Sequence, residues 1–265
     1  MEWLQLLALA VIQGLTEFLP VSSSAHLILP AQLLGWQDQG LAFDVAVHIG
    51  TLMAVLWYYR SYVGRMTIGA LQGVQTRQMN PDLKLALLLA WATLPAVIAG
   101  FLFKDMLEQH ARSVAVITTT TLLFGALLWV ADRRGSQRIS LAAVGLGVAT
   151  LIGLAQVLAL IPGTSRSGIT ITAALLLGLH REDAANFSFL LSIPVILGAV
   201  VLMIAELASE AQIFSMLQLL VATMTSGVVA YLTIAFFIRL VNQLGMLPFV
   251  IYRLLLGLVL LVFFL

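Results

Sequence analysis

Apolar runs of about 20 residues recur along this chain, separated by short clusters of charge. This pattern constrains the fold more than any single motif. A run of that length matches the roughly 30 Å of hydrocarbon that a helix must cross, and backbone at that depth has to satisfy its own hydrogen bonds, as a helix does. Only 9% of the residues are charged and 61% are hydrophobic, whereas an ordinary soluble domain carries about 25% charge. The chain is therefore expected to be an all-α integral membrane protein, one membrane domain over residues 1–265 with no separate soluble domain. A large soluble core is the competing reading, and the gathering of charges between the runs argues against it. The net charge of +1 offers no field for nucleic acid or an acidic partner, so no nucleic acid is expected. Without cysteine there is neither a disulfide framework nor thiolate chemistry. The first residues carry only Glu2 as charge, unlike a cleaved signal peptide.

Full spans are expected near 41–59, 85–103, 113–131, 185–205, 216–238 and 247–265. Loop 60–84 carries Arg60, Arg65, Arg77 and Lys84, and loop 132–140 carries Arg133, Arg134 and Arg138. The positive-inside rule puts both in the cytoplasm. It leaves 36–40 (with Asp38), the mixed connection 104–112 and loop 206–215 (with Glu206 and Glu210) outside, and Arg239 inside. Residues 1–35 are apolar but broken at Pro20 and the following serines, so a re-entrant helix–loop–helix is preferred over one kinked span.

The second half repeats this plan. A shift of 143 residues places Gln13 on Gln156, Ser22 on Ser165, Ser24 on Ser167 and Gly35 on Gly178. Leu94-Pro95-Ala-Val-Ile98 echoes Leu247-Pro248-Phe-Val-Ile251 at a slightly longer offset. Two repeats follow, about 1–135 and 140–265, each a re-entrant broken pair plus three transmembrane helices. Three spans being odd, the second repeat is expected to enter the membrane inverted, the logic of many transport folds.

Polar groups at membrane depth are expensive and therefore functional candidates. Gln13 and Glu17, four residues apart, share a helical face. Burying a carboxylate for packing alone is costly, whereas Gln13 serves equally well as a packing amide. Ser22, Ser23 and Ser24 follow Pro20, and His26 lies within a turn of them. One serine is expected to cap a helix; the others, beside an imidazole and a carboxylate, suit a hydroxyl nucleophile with a base. Pro162-Gly-Thr-Ser-Arg-Ser-Gly168 reads as a loop opening a helix. Its N–H groups and Arg166 suit a phosphate, with Ser165, Ser167 and Gly168 as further contacts. His48 and Asp44, one turn apart, are as consistent with packing as with chemistry, and Asn186 and Ser188 are similar. Tyr252 and Arg253, with His110, His180 and the aromatics 57–59, read as interfacial. No His-Glu-x-x-His, Walker loop or acid-rich cage occurs in the sequence.

Gln13-x-x-x-Glu17, Phe-Leu-Pro-Val-Ser-Ser-Ser-Ala-His26, Pro162-Gly-Thr-Ser-Arg-Ser-Gly168 and Asn186-Phe-Ser-Phe-Leu-Leu-Ser-Ile-Pro194 strongly resemble the bacterial undecaprenyl-diphosphatase family, integral membrane enzymes linked to bacitracin resistance. The resemblance runs to Pro248-Phe-Val-Ile-Tyr-Arg253. It implies hydrolysis of undecaprenyl pyrophosphate to the monophosphate and phosphate, recycling the lipid carrier of cell-wall synthesis. It also implies catalytic roles for Glu17, Ser23, His26 and Arg166, with substrate contacts at Gln13, Ser22, Ser24, Ser165, Ser167 and Gly168. A divalent cation, Mg2+ or Ca2+, is implied as cofactor, with Glu17 as its ligand. The location implied is the inner membrane, multi-pass, with the site reached from the periplasm. The expected partners are the lipid substrate, the bilayer and, in a homodimer, a second copy. The chain departs from the family pattern at Gln13, where many members have Glu, at Ser24-Ala25 for Thr-Gly, and at Thr164 for Phe. Either Ser23 or His26 can be the nucleophile on this reading. The competing class is a polyprenyl-phosphate flippase or other inverted-repeat transporter of a phosphorylated substrate.

Overall fold

A computed structural model describes residues 2–207 and 214–264, with backbone alone at 104, 105, 108, 206 and 207. The expected outer loop 206–215 therefore lies largely outside the described residues. Eleven α-helices are described. The first, α1 (Trp3–Thr16), buries Leu6, Leu9, Ala10 and Gln13, the spacing of one helical face. It ends just before Pro20, whose ring disfavours helix in the residue ahead of it. Ser22 then caps α2 (Ser23–Leu34). The spans follow as α3 (Gly40–Tyr58), α5 (Pro81–His110) and α6 (Val114–Arg134), with α4 (Arg60–Thr76) between the first two. The second half holds α7 (Leu146–Val157), α8 (Arg166–Leu176), α9 (Arg181–Leu207), α10 (Met216–Leu244) and α11 (Leu247–Phe264).

Six of these helices, α3, α5, α6, α9, α10 and α11, are long and apolar enough to cross a membrane. The two broken pairs, α1–α2 and α7–α8, are each too short per helix to do so alone. Polar side chains join the spans. Thr223 and Ser226 of α10 donate to the carbonyls of Ala46 and Val47 on α3, at 3.0 and 3.1 Å. An aromatic chain runs through the core, Phe18–Phe189–Phe237–Phe249, with centroid separations of 5.4, 5.3 and 5.0 Å. Phe18 is fully buried and adjoins Glu17, so the core anchors that carboxylate.

Four expectations need correction. Residues 60–84 are not a plain loop, because Arg60–Thr76 is helical. Charge at 60, 65 and 77 masks Val63, Met66, Ala70 and Val74, an apolar stripe at three- and four-residue spacing. The connection at 104–112 is likewise helical as far as His110. The echo between Leu94-Pro95 and Leu247-Pro248 is not an equivalence. Pro95 sits inside α5, the second span of its half, whereas Pro248 lies in the first turn of α11, where its missing N–H costs nothing. Finally, Tyr59 and Arg253 are buried rather than interfacial. Tyr59 donates to Asn186 at 2.6 Å, a packing contact like that between Ser188 and Thr170.

The two ends of the bundle sort as the charges predict. Arg112 pairs with Asp38 at 3.7 Å, so connections 36–40 and 104–112 share one end. Tyr62, Arg65, Asp82, Lys84, Ser140 and Asp183 line one cavity, which puts 60–84 and 140–144 together. Asp132 also accepts from Arg181 at 2.6 Å and from the Met246 N–H at 3.2 Å, tying α6 to the starts of α9 and α11.

Local conformation repeats at the 143-residue shift. Ser22 and Ser165 both hold positive φ, 77° and 71°, an uncommon state for a non-glycine residue that costs about 1–3 kcal/mol. Both cap the helix that follows by accepting an N–H three residues on, from Ala25 and Gly168. Gly35 and Gly178, each just past its helix, also have positive φ. Gln13 and Gln156 are both buried.

Candidate active site

The turns of the two broken pairs meet inside the bundle. Glu17 lies at the C-terminal end of α1, Ser23 opens α2 and Arg166 opens α8. The Ser23 hydroxyl donates to Glu17 Oε2 at 2.7 Å, and Arg166 Nη2 donates to Glu17 Oε1 at 2.7 Å. Gln13 Nε2 also donates to Oε2, at 3.0 Å. The carboxylate thus accepts three charge-assisted bonds in a site where it is 7% exposed. Arg166 Nη1 is buried with no hydrogen-bond partner. A buried donor without a partner costs about 1–3 kcal/mol, so this group has a strong preference for an incoming acceptor.

Around this triad the other serines do structural work. Ser22 accepts the Gly163 N–H at 3.2 Å and so joins the first turn to the second. Ser24 contacts Ser22, Ser165 contacts Ser167, and Ser167 donates to the Leu19 carbonyl at 2.8 Å. The Gly168 N–H is occupied by the Ser165 hydroxyl. Among the described residues, nothing accepts from the N–H groups of Ser23, Ser24, Arg166 or Ser167. Two helix N-termini therefore turn unsatisfied donors and positive dipole ends toward one place.

The glycines of the second turn answer to protein rather than to ligand. Gly163 has φ +88°, and a Cβ there would stand 2.1 Å from Thr120 Oγ1; a Cβ at Gly168 would stand 3.0 Å from Arg253 Nη1. Arg253 is the residue that sequence reasoning missed. It is 0% exposed. Its five N–H donors all reach carbonyls: Thr121 from Nε (3.3 Å), Pro20 and Thr164 from Nη1 (3.2 and 3.0 Å), Thr120 and Gly163 from Nη2 (3.3 and 2.8 Å). One guanidinium thus holds the turn of the first pair, the turn of the second and α6. The signal was available: an arginine six residues into an apolar run is an intramembrane charge.

A small pocket of about 170 Å³ opens on the triad, lined by Glu17, Ser22, Ser23, Ser24, Ser165 and Arg166 together with His48 and apolar residues of α9. It adjoins a vestibule of about 440 Å³ that shares Ser23, Ser24 and His48 and extends past Leu27, Leu160 and Met203 to Gln39, Asp44 and Arg112. His26 lines neither. Its Nδ1 meets the Ser22 carbonyl at 2.7 Å and its Nε2 meets the Tyr252 hydroxyl at 2.5 Å. The structure thus brings Gln13, Glu17, Ser23 and Arg166 together and sets His26 against the strained cap instead. Glu17 does not fit as a ligand of a resident divalent ion. Both its oxygens are engaged, one by a guanidinium, and no group of three His, Cys, Asp or Glu with metal-binding geometry occurs among the described residues.

Fold and site define a class: a multi-pass helical membrane protein with a carboxylate–hydroxyl–guanidinium centre built from two broken helix pairs. Residues 6–259 match the family described as bacitracin resistance protein BacA, and the chain belongs to that family. It is 62% identical over 261 residues to a protein of Alcanivorax borkumensis named undecaprenyl-diphosphatase, covering 98% of each chain. Proteins of the same name from Teredinibacter turnerae (54% over 260 residues, 98% of each chain) and Chromohalobacter salexigens (55% over 262 residues, 99% of each) are also similar.

Proposed function

We propose that this protein hydrolyses undecaprenyl pyrophosphate to undecaprenyl phosphate and inorganic phosphate, recycling the lipid carrier of peptidoglycan synthesis and supporting resistance to bacitracin. The observation that carries the reading is the bond from the Ser23 hydroxyl to Glu17 Oε2, beside an arginine with a spare buried donor. Arg166 Nη1 and the free N–H groups of the two helix starts hold the terminal phosphate, the electrostatic stabilisation on which phosphoryl transfer depends. Ser23 attacks the terminal phosphorus, Glu17 takes its proton, and the bridging P–O bond breaks to release undecaprenyl phosphate. Water then cleaves the phosphoserine. His26 acts as a positioning residue, since both ring nitrogens are engaged and it reaches the site through Ser22.

Replacing Ser23 by Ala is expected to lower phosphate release from undecaprenyl pyrophosphate to near background in purified, folded protein. Release at the wild-type rate would remove the serine from the mechanism. The Mg2+ or Ca2+ that the resemblance implies is assigned to the substrate, as counter-ion of its pyrophosphate oxygens, because both Glu17 oxygens already accept from protein donors, one of them a guanidinium. Calorimetry is expected to find no micromolar Mg2+ site on the protein alone. Tight stoichiometric binding without substrate would contradict this assignment.

The repeated cap geometry at Ser22 and Ser165 and the three spans in each half support an inverted-topology arrangement of two repeats. The vestibule reaches the end of the bundle that holds Asp38 and Arg112, which the charge distribution assigns to the outside. The site is accordingly proposed to open to the periplasm from the inner membrane. Each group named comes from one chain, so a homodimer leaves the chemistry within each protomer. The repeats also keep a lipid-flipping role open to test in vesicles, as the second reading.

A further inference from the structure

We infer that His48 of α3 is the base that activates water in the second half of this reaction. The inference rests on the phosphoserine reading above. In that reading Glu17 is protonated once Ser23 has attacked, so it cannot also take a proton from water. A second base has to face the same pocket, and His26 does not. His48 lines both the inner pocket with Glu17, Ser23 and Arg166 and the vestibule beyond it. Its Nδ1 stands 2.7 Å from the Asp44 carbonyl of its own helix. A carbonyl only accepts, so Nδ1 carries a hydrogen, and in the neutral imidazole Nε2 then carries the lone pair. Among the described residues Nε2 has no hydrogen-bond partner. The Asp44 carboxylate is itself held by Gln39 Nε2 at 3.1 Å, and these groups line the vestibule through which water arrives.

The step balances. Water loses a proton to His48 Nε2 as its oxygen bonds to phosphorus. The phosphorus–Ser23 Oγ bond breaks, and Oγ regains the proton from Glu17. His48 then releases its proton through the vestibule, and phosphate leaves.

The test uses full-length protein in detergent, with His48→Ala and His48→Gln, and undecaprenyl pyrophosphate labelled in its terminal phosphate. Steady-state phosphate release is expected to fall about 100-fold in both, in the range of general-base catalysis. Acid-quenched protein in the steady state is expected to hold several-fold more labelled phosphate on Ser23 than wild type holds. Added imidazole is expected to restore turnover several-fold in His48→Ala and not in His48→Gln, which fills the space. Turnover at the wild-type rate in His48→Ala overturns the proposal. So does slow turnover in folded protein with neither label retention nor rescue. Failure of the underlying reading looks different, because Ser23→Ala would then keep its turnover.

Discussion

Glu17→Gln is expected to lower turnover about 1,000-fold while leaving the fold intact, since a positioned general base is worth about 100- to 10,000-fold. The carboxylate accepts from Arg166, Ser23 and Gln13 at once. A glutamine oriented with its carbonyl toward Arg166 presents its amide nitrogen to the other two. The Ser23 hydroxyl can rotate to accept from it. Gln13 can turn its own oxygen, which has no partner in the present arrangement, toward the new amide. Packing is therefore kept while the proton acceptor is lost. Glu17→Ala is the harsher change. It strands the Arg166 guanidinium, whose side chain is only 13% exposed, and breaking a buried pair costs about 3–5 kcal/mol. Phosphate release and thermal unfolding on both variants separate these effects. A Glu17→Gln protein working within a few-fold of wild type would sink the assignment of the base.

The second large effect is expected at Arg253. Arg253→Leu removes five bonds to buried carbonyls of Pro20, Thr120, Thr121, Gly163 and Thr164. Leucine fills part of the volume and satisfies none of them. The expected loss is about 3–5 kcal/mol, seen as a lowered unfolding temperature. Activity should disappear with it, because Pro20 sits three residues from Glu17 and Thr164 two from Arg166. Arg253→Lys should fall between, since an ammonium has three donors and no planar fork. A leucine variant with native unfolding temperature and native turnover would mean that the turns hold themselves in place.

Much of this was legible beforehand, for particular reasons. The spans follow from apolar length, whereas the caps that set three of their starts, Asn80, Ser113 and Ser215, emerge only in the structure. Glu17, Ser23 and Arg166, which the structure brings together, stand out as candidates in the sequence because a charge or a serine run inside apolar sequence demands a reason. Helix α4 was hidden because its arginines drew attention away from the stripe beside them. Arg253 was hidden because a following apolar run and a neighbouring tyrosine imitate a membrane-interface anchor. From sequence His26 ranks above His48, because it sits beside the serine run and Glu17, yet in the fold it is His48 that lines the pocket. Both stand near polar residues, and only the turn of α2 decides which imidazole faces the pocket. Ser22 and Ser165 matched at the 143-residue shift, but their shared positive φ is a property of folded backbone and has no signature in residue type.

The central claim is that Ser23 carries the phosphoryl group between the two halves of the reaction. Rapid quenching of wild-type turnover, followed by peptide mass spectrometry, tests it most directly. The account predicts a phosphoryl group on Ser23 that appears within the first turnover and is absent from Glu17→Gln over the same interval. A phosphoryl group on His26 instead, or full turnover with none on any residue, would contradict it.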